Sequence, residues 1–164
     1  MRDQGGLSLN IYRCGAFGAL DPEECFAFLE QHYDDFHWSR DVFLQRLHRG
    51  LLFVLTIQLN NENRIAAILL AQCVVSDLDI EMVVVDASLR GQGVATHMMQ
   101  AVLSSHQKES FNRVFLEVRA SNAPAIALYK KMGFEIGRVR RGYYPATPDK
   151  PKEDALEMFK CMDV

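Results

Sequence analysis

The chain has 164 residues, of which 49% are hydrophobic and 24% charged, and its formal net charge is -3. This length and composition are typical of one globular domain with its own core, so we expect a single domain over residues 1–164. The slight negative charge and the shortness of the apolar runs predict a cytoplasmic protein, without nucleic acid or a membrane as its partner.

The first elements are predicted to be a strand and two capped helices. Residues 7–13 alternate in the manner of a strand. Asp21 precedes a proline and can cap a helix that ends near Tyr33. Ser39 can cap a second helix that ends near Gly50, where glycine suits a helix terminus.

Three further strands are predicted in succession. Residues 51–59 and 64–75 are apolar runs that flank an Asn-rich turn, and residues 76–79 form a second polar turn before a strand at 80–85. Strands joined by such short connections predict an antiparallel meander.

The strand at 80–85 leads into a turn that contains two glycines. Its run of valines is typical of a strand buried on both faces. The turn, residues 90–93 (RGQG), then enters a helix that begins at Val94 and extends to about Gln107. A helix N-terminus with glycines before it lets a phosphate oxygen reach backbone N–H groups directly. An ordinary strand-to-helix connection explains the same glycines, so both interpretations stay open at this point.

A carboxylate interrupts the next strand, residues 113–119. Glu117 lies in the otherwise apolar sequence Phe-Leu-Glu-Val, where an unpaired buried charge would be costly. It therefore either faces a wet, catalytic cleft or pairs with a cation such as Arg119 or Arg138. Because a strand, a helix and a strand follow one another here, we expect a parallel crossover and a mixed sheet.

The C-terminal part is predicted to contain one more helix and two strands. Asn122 can cap a helix that ends at Gly133. Strands are predicted at 134–141 and 155–162, and residues 142–154 between them form a loop. The predicted class is therefore mixed α/β.

Cysteines and histidines show no spacing typical of a metal site. The four cysteines and five histidines are scattered, without a Cys-x-x-Cys or His-Glu-x-x-His motif. This favours reduced thiols over a disulfide framework or a zinc site. We expect no metal ion in the chemistry.

Two of these motifs together resemble the GNAT superfamily of acetyl-CoA-dependent N-acetyltransferases. Residues 90–95 (RGQGVA) are similar to its pyrophosphate loop, and residues 122–134 (NAPAIALYKKMGF) to its Asn…Tyr…Gly-Phe helix. The closer likeness, over roughly residues 7–160, is to the RimI-type ribosomal-protein-alanine acetyltransferases. The resemblance implies a mostly antiparallel, mixed sheet of about seven strands, flanked by about four helices, with a splay between the strands at 80–85 and 113–119.

The resemblance also implies the site residues and the donor, acetyl-CoA. By position, Glu117 is expected to be the general base and Tyr129 the general acid. The residues expected to bind acetyl-CoA are Val83, Val84, Val85, Arg90, Gly91, Gln92, Gly93, Val94, Ala95, Thr96 and Asn122. The candidate contacts to the acceptor are Trp38, Tyr143 and Tyr144, although aromatic residues at such places also serve to pack a core.

The implied acceptor is the N-terminal alanine of a small-subunit ribosomal protein, acetylated on its α-amino group by a monomer or weak dimer. The chain departs from the pattern at Ala87, Thr96 and Gly142, where proline, arginine and asparagine are usual, and its loop at 146–152 is slightly long. The loop leaves the acceptor open: a small amine or a lysine side chain is the alternative. A module that binds acetyl-CoA without catalysis is the alternative of a different class.

Overall fold

The structure is a computed structural model, and it describes residues 7–13, 21–59, 62–104, 111–148 and 150–162. The chain divides into two compact units. The first unit consists of Met1–Gln72 and Met82–Ser105, and the second of Cys73–Glu81 and His106–Val164. Each unit is described in turn.

The described residues form seven strands and four α-helices. The strands are β1 (Leu7–Arg13), β2 (Leu51–Leu59), β3 (Glu62–Val74), β4 (Asp77–Val85), β5 (Arg113–Arg119), β6 (Glu135–Tyr144) and β7 (Glu153–Cys161). The helices are α1 (Pro22–His32), α2 (Arg40–Arg49), α3 (Val94–Ser104) and α4 (Ala123–Lys131), with a 3₁₀ turn at Ala87–Leu89. The strand order is β1-β2-β3-β4-β5-β7-β6, and the one parallel register that the structure gives in these ranges joins β4 to β5. The predicted mixed α/β class and parallel crossover are confirmed.

The first unit is built on an antiparallel β1–β2–β3 meander. Helices α1 and α2 start where the sequence predicts, because Asp21 Oδ1 accepts the Glu23 N–H at 2.9 Å and Ser39 Oγ accepts the Val42 N–H at 3.3 Å. Side chains from α1, α2, β2, β3 and the end of β4 form its core: Cys25, Phe28, Leu29, Phe43, Leu47, Leu52, Val54, Ile68, Leu70, Met82 and Val84.

The valine run at the end of β4 is buried on one face only. Val84 is 3% exposed, but Val83 and Val85 are only partly buried, so the prediction of a strand covered on both faces is wrong. The backbone continues in the sheet to the end of the run, where the Asp86 N–H donates to the Ala66 carbonyl at 2.9 Å.

The second unit begins β4 three residues earlier than predicted. Asp77 was assigned to a polar turn, but it pairs with Arg113 in the parallel ladder, and its carboxylate lies 2.7 Å from the Arg113 guanidinium. The ladder runs to Ile80↔Leu116. Polar residues on the exposed side of a strand can mimic a turn in sequence when their partner lies far along the chain.

The C-terminal strands of the second unit are longer than predicted. β6 continues to Tyr144 and β7 starts at Glu153, so the expected loop at 142–154 is wrong at both ends. Gly142 makes this possible, since it adopts φ +60° inside a register shift and donates its N–H to Asp154 Oδ1 at 2.7 Å. A glycine in a β-bulge continues a strand that its sequence appears to end.

Candidate active site

The glycine turn before α3 exposes its backbone to the solvent. Gly91 and Gly93 have φ values of +73° and +83°, and a Cβ added to either would meet no heavy atom within 4 Å. The His97 N–H donates to the Gly93 carbonyl at 3.0 Å, so the helical ladder starts there and the preceding N–H groups have no acceptor within the helix. An anion fits this turn, because open space, N–H groups that precede the helical ladder and the positive end of a helix coincide.

Hydrogen bonds within residues 86–92 hold the same turn in place. Asp86 Oδ1 accepts from the Ser88 N–H at 2.8 Å and from the Ser88 hydroxyl at 2.7 Å. The Gln92 side chain donates to the Ser88 carbonyl at 2.8 Å. Burial raises the pKa of Asp86, but the Ser88 hydrogen bonds and the nearby His32 and Arg64 outweigh it, so the net pKa is below the ordinary value.

Arg90 binds the protein's own backbone. Its guanidinium donates to the His32 carbonyl at 2.5 Å and to the Val85 carbonyl at 3.3 Å. His32 Nδ1 in turn accepts the Ala87 N–H at 3.1 Å, so the end of α1 is attached to the turn at two points. His32 could not be recognised from the sequence, because its contacts join residues that are far apart in the chain.

The remaining predicted cofactor residues lie at the start of the two helices. At the start of α3, Val94 is buried, whereas Ala95 and Thr96 are partly buried. Asn122 is exposed and caps α4, since its Oδ1 accepts the Ala125 N–H at 3.2 Å.

Glu117 lies on β5 in the second unit and forms an ion pair with Arg140. Its side chain is 24% exposed and that of Arg140 38%, so the pair is partly open to solvent. Neither arginine that the sequence suggested is the partner: Arg119 pairs with Glu153 at 3.0 Å, and Arg138 with Glu157 at 3.1 Å. The correct arginine was missed because strand register decides which one reaches Glu117.

Tyr143 completes this cluster. Its hydroxyl is hydrogen-bonded to Glu117, and that bond, together with burial and the Glu117 charge, raises the pKa of Tyr143 against the opposing effect of Arg140. Arg140 also lies over the Tyr143 ring, with Cζ 4.1 Å from the ring centroid. The ring centroids of Tyr143 and Tyr144 are 5.1 Å apart, and Arg119 Cζ lies 4.0 Å from the Tyr144 ring centroid. Structure therefore brings Glu117, Arg140 and Tyr143 together.

Two other predicted residues occupy aromatic clusters. Tyr129 is 8% exposed on α4, in the same unit as Glu117, and its ring lies 5.9 Å from that of Phe134. Trp38, in the first unit, packs against the core beside Phe36 and lies under the Arg46 guanidinium at 5.5 Å. Packing accounts for the contacts that Trp38 makes there.

Two kinds of feature are absent from the described ranges. None of their helices is both long and apolar enough to span a membrane. The same ranges contain no group of three or more His, Cys, Asp or Glu side chains placed to hold a metal ion.

Comparison with known proteins identifies the family. Residues 17–134 match the model of the acetyltransferase (GNAT) family, and they include both the glycine turn and the Glu117 strand. The chain belongs to the GNAT family. It is an N-acetyltransferase of this family, as the motifs predicted.

The relatives of this GNAT enzyme include ribosomal-protein-alanine N-acetyltransferases. The [ribosomal protein bS18]-alanine N-acetyltransferase of Escherichia coli (strain K12) is 34% identical over 130 residues, which are 79% of this chain and 84% of the relative. The crystal structure of the ribosomal-protein-S18-alanine N-acetyltransferase from Escherichia coli superposes with a TM-score of 0.79 at 30% identity, covering 96% of each chain. The predicted RimI-type likeness is confirmed.

A more distant structure shares the fold. Arabidopsis thaliana NAA60, solved in complex with acetyl-CoA, superposes with a TM-score of 0.81 at 15% identity and covers 97% of this chain and 100% of its own.

Proposed function

We propose that this enzyme transfers the acetyl group of acetyl-CoA to the α-amino group of a protein N-terminus, and that its acceptor is the N-terminal alanine of a ribosomal protein. The observation that carries the proposal is the 34% identity, over 79% of the chain, to a bS18-alanine N-acetyltransferase. The partly exposed carboxylate of Glu117 gives the second unit a group able to take up a proton. We propose that the enzyme acts in the cytoplasm, as one catalytic domain and as a monomer or weak dimer.

The glycine turn is the proposed site for the pyrophosphate of acetyl-CoA. Backbone N–H groups from Gly91 to Thr96 would donate to the phosphate oxygens, since Gly91 and Gly93 leave that side open. In this proposal Arg90 shapes the turn through the His32 carbonyl and does not bind the phosphate itself. The backbone of Val83 and Val85 and the side chain of Asn122 are proposed to hold the rest of the cofactor, and the splay of β4 from β5 stays a prediction.

Glu117 and Tyr129 are the proposed proton carriers. Acetyl-CoA supplies a thioester, whose carbonyl carbon forms the new bond to nitrogen while its bond to sulfur breaks. Glu117 would accept the proton that the acceptor ammonium loses, directly or through a water molecule. Tyr129 would donate its hydroxyl proton to the departing thiolate.

The basicity of the acceptor favours an α-amine. An α-amino group, with a pKa of roughly 7.7–8.0, is about one-tenth neutral at pH 7, whereas a lysine near 10.4 is neutral in fewer than about one molecule in a thousand. A carboxylate is a weak base. The proposed base is therefore better suited to an N-terminus than to a lysine side chain.

Mass spectrometry of two matched peptides tests the proposal. One peptide begins with a free alanine and contains no lysine, and the other has a blocked N-terminus and one internal lysine. We expect acetylation of the first peptide only, with equimolar release of the CoA thiol, and strongly reduced turnover in Glu117→Gln and Tyr129→Phe. Acetylation of the lysine peptide alone would contradict the proposed acceptor, and no thiol release with any amine would contradict catalysis.

A further inference from the structure

A row of charged side chains, two carboxylates and then an arginine, crosses β5, β7 and β6 on one face of the second unit. Glu117 and Glu157 are directly opposite each other in the β5–β7 ladder, and Arg138 is opposite Glu157 in the β6–β7 ladder. Opposed residues share a face, so the two carboxylates would repel each other if unpaired. Arginines from β6 compensate both charges: Arg138 binds Glu157 and Arg140 binds Glu117.

Arg140 reaches its partner across an intervening strand. Its own position in the ladder is opposite Ala155 of β7, which on its other side is opposite Arg119 of β5. Ala155 is fully buried, and its methyl group takes up little of the surface between the two strands. A long guanidinium side chain can therefore extend over β7 to the carboxylate of Glu117 on β5.

Tyr143 holds the other side of this pair. Its ring lies 4.1 Å from Arg140 Cζ, and its hydroxyl is hydrogen-bonded to Glu117. A phenol is protonated at neutral pH, so this hydroxyl is the donor and the carboxylate of Glu117 is the acceptor. The edge-on contact with Tyr144 and the Arg119 guanidinium over Tyr144 restrict the Tyr143 ring in turn.

We propose that Arg140 and Tyr143 are positioning residues, which hold the Glu117 carboxylate in the orientation that receives the proton of the acceptor amine. The inference rests on the proposed function and adds two residues that neither touch the reacting atoms nor bind the cofactor. A carboxylate held by two donors on a sheet keeps one rotamer, whereas a free one samples several, with only a fraction of its time in the productive position.

Steady-state kinetics of four variants test this role. Arg140→Gln should lower kcat roughly 10- to 100-fold, the cost of misplacing a catalytic group by about 1 Å, with little change in KM for acetyl-CoA. Arg140→Lys keeps the charge but loses the planar guanidinium group, so its kcat should lie between those of the wild type and Arg140→Gln. Tyr143→Phe keeps the ring against Arg140 and loses one hydrogen bond, which should lower kcat about threefold to tenfold. Arg113→Gln is the matched control and should leave kcat within about twofold, because it removes an exposed ion pair with Asp77 elsewhere in the same unit.

A double variant separates positioning from a merely structural effect. In a Glu117→Gln background, Arg140→Gln should lower kcat no further, since the group that it positions is gone. The inference is overturned if Arg140→Gln and Tyr143→Phe keep the wild-type kcat, or if Arg140→Gln lowers kcat by its full factor in the Glu117→Gln background. Should Arg140→Gln fail to fold by thermal melting, Arg140→Lys and Tyr143→Phe decide the outcome.

The inference and the proposed function can fail separately. Wild-type turnover of the alanine peptide decides the acceptor. The ratio of variant to wild-type kcat, measured on whichever amine the wild-type enzyme acetylates, decides the role of Arg140 and Tyr143.

Discussion

Replacing Gly93 by aspartate or by asparagine gives a direct test of the phosphate site. Aspartate and asparagine have nearly the same shape, and both tolerate the left-handed backbone that Gly93 adopts at φ +83°. An added Cβ would meet no protein atom within 4 Å, so the cost that both variants share in the free enzyme is backbone strain. We expect both variants to lose about 1 kcal/mol of stability from backbone strain, and to lose it equally.

The difference in acetyl-CoA affinity between the two variants shows whether a negatively charged group of acetyl-CoA lies at the turn. A carboxylate about 4 Å from a phosphate charge is repelled by roughly 1 kcal/mol in water and roughly 4 kcal/mol at an effective dielectric constant of 20. Gly93 is exposed, so the smaller figure applies more closely. We therefore expect Gly93→Asp to bind acetyl-CoA about 5- to 30-fold more weakly than Gly93→Asn.

Isothermal titration calorimetry with acetyl-CoA is the appropriate assay, repeated at low and high salt. At an ionic strength of about 1 M the Debye length falls to about 3 Å, so the gap between the two variants should narrow. Urea denaturation of both variants serves as the control for strain. Equal dissociation constants for the two variants at low salt would refute the assignment of the pyrophosphate to this turn.

Two further predictions concern stability and thiol reactivity. Because the pKa of Asp86 is lowered in the folded state, its stabilising effect is complete above the ordinary value of 3.8 and is lost as the pH falls through the folded-state pKa. Urea denaturation should thus show the wild type losing stability relative to Asp86→Asn as the pH is lowered from about 6 to about 3. A constant difference in stability across that range would contradict the effect of the Ser88 hydrogen bonds and of the nearby charges on Asp86. Burial, with the charges of Glu24 and Asp21, raises the pKa of Cys25 to about 12. At about pH 8 a maleimide should therefore label the exposed Cys73 and Cys161, whereas Cys25 should react only after denaturation. Rapid labelling of Cys25 in the native protein, detected by peptide mass spectrometry, would contradict a closed core in the first unit.

Local signals in the sequence predicted the starts of the helices well. Asp21, Ser39 and Asn122 each cap the helix that was expected after them, because a cap depends only on the next two or three residues. The glycine turn was found for the same reason: its φ angles are a property of the residues themselves. Elements whose limits depend on a partner were less well predicted, as at the start of β4 and at both ends of the 142–154 segment.

The same distinction between local signals and distant partners applies to the candidate site. Glu117 is a candidate catalytic residue in the sequence because a carboxylate interrupts an apolar strand there. The resemblance to GNAT enzymes implies its role. Its partner could not be chosen from the sequence, which suggested Arg119 or Arg138, because the sequence does not show which arginine the strand register brings to Glu117. Only the register of β6 and β7, with Ala155 between Arg119 and Arg140, made Arg140 the partner.

By itself, the sequence determined the family, the mixed α/β class, the capped helices and the exposed glycine turn, because each depends on neighbouring residues or on a motif of fixed spacing. Tertiary structure decided the contact of His32 with the Ala87 N–H, the use of the Arg90 guanidinium on the protein's own backbone, and the grouping of Arg140 and Tyr143 around Glu117. Those contacts join residues from separate strands and helices, and pairing of strands in one register out of several is what brings such residues within hydrogen-bonding distance.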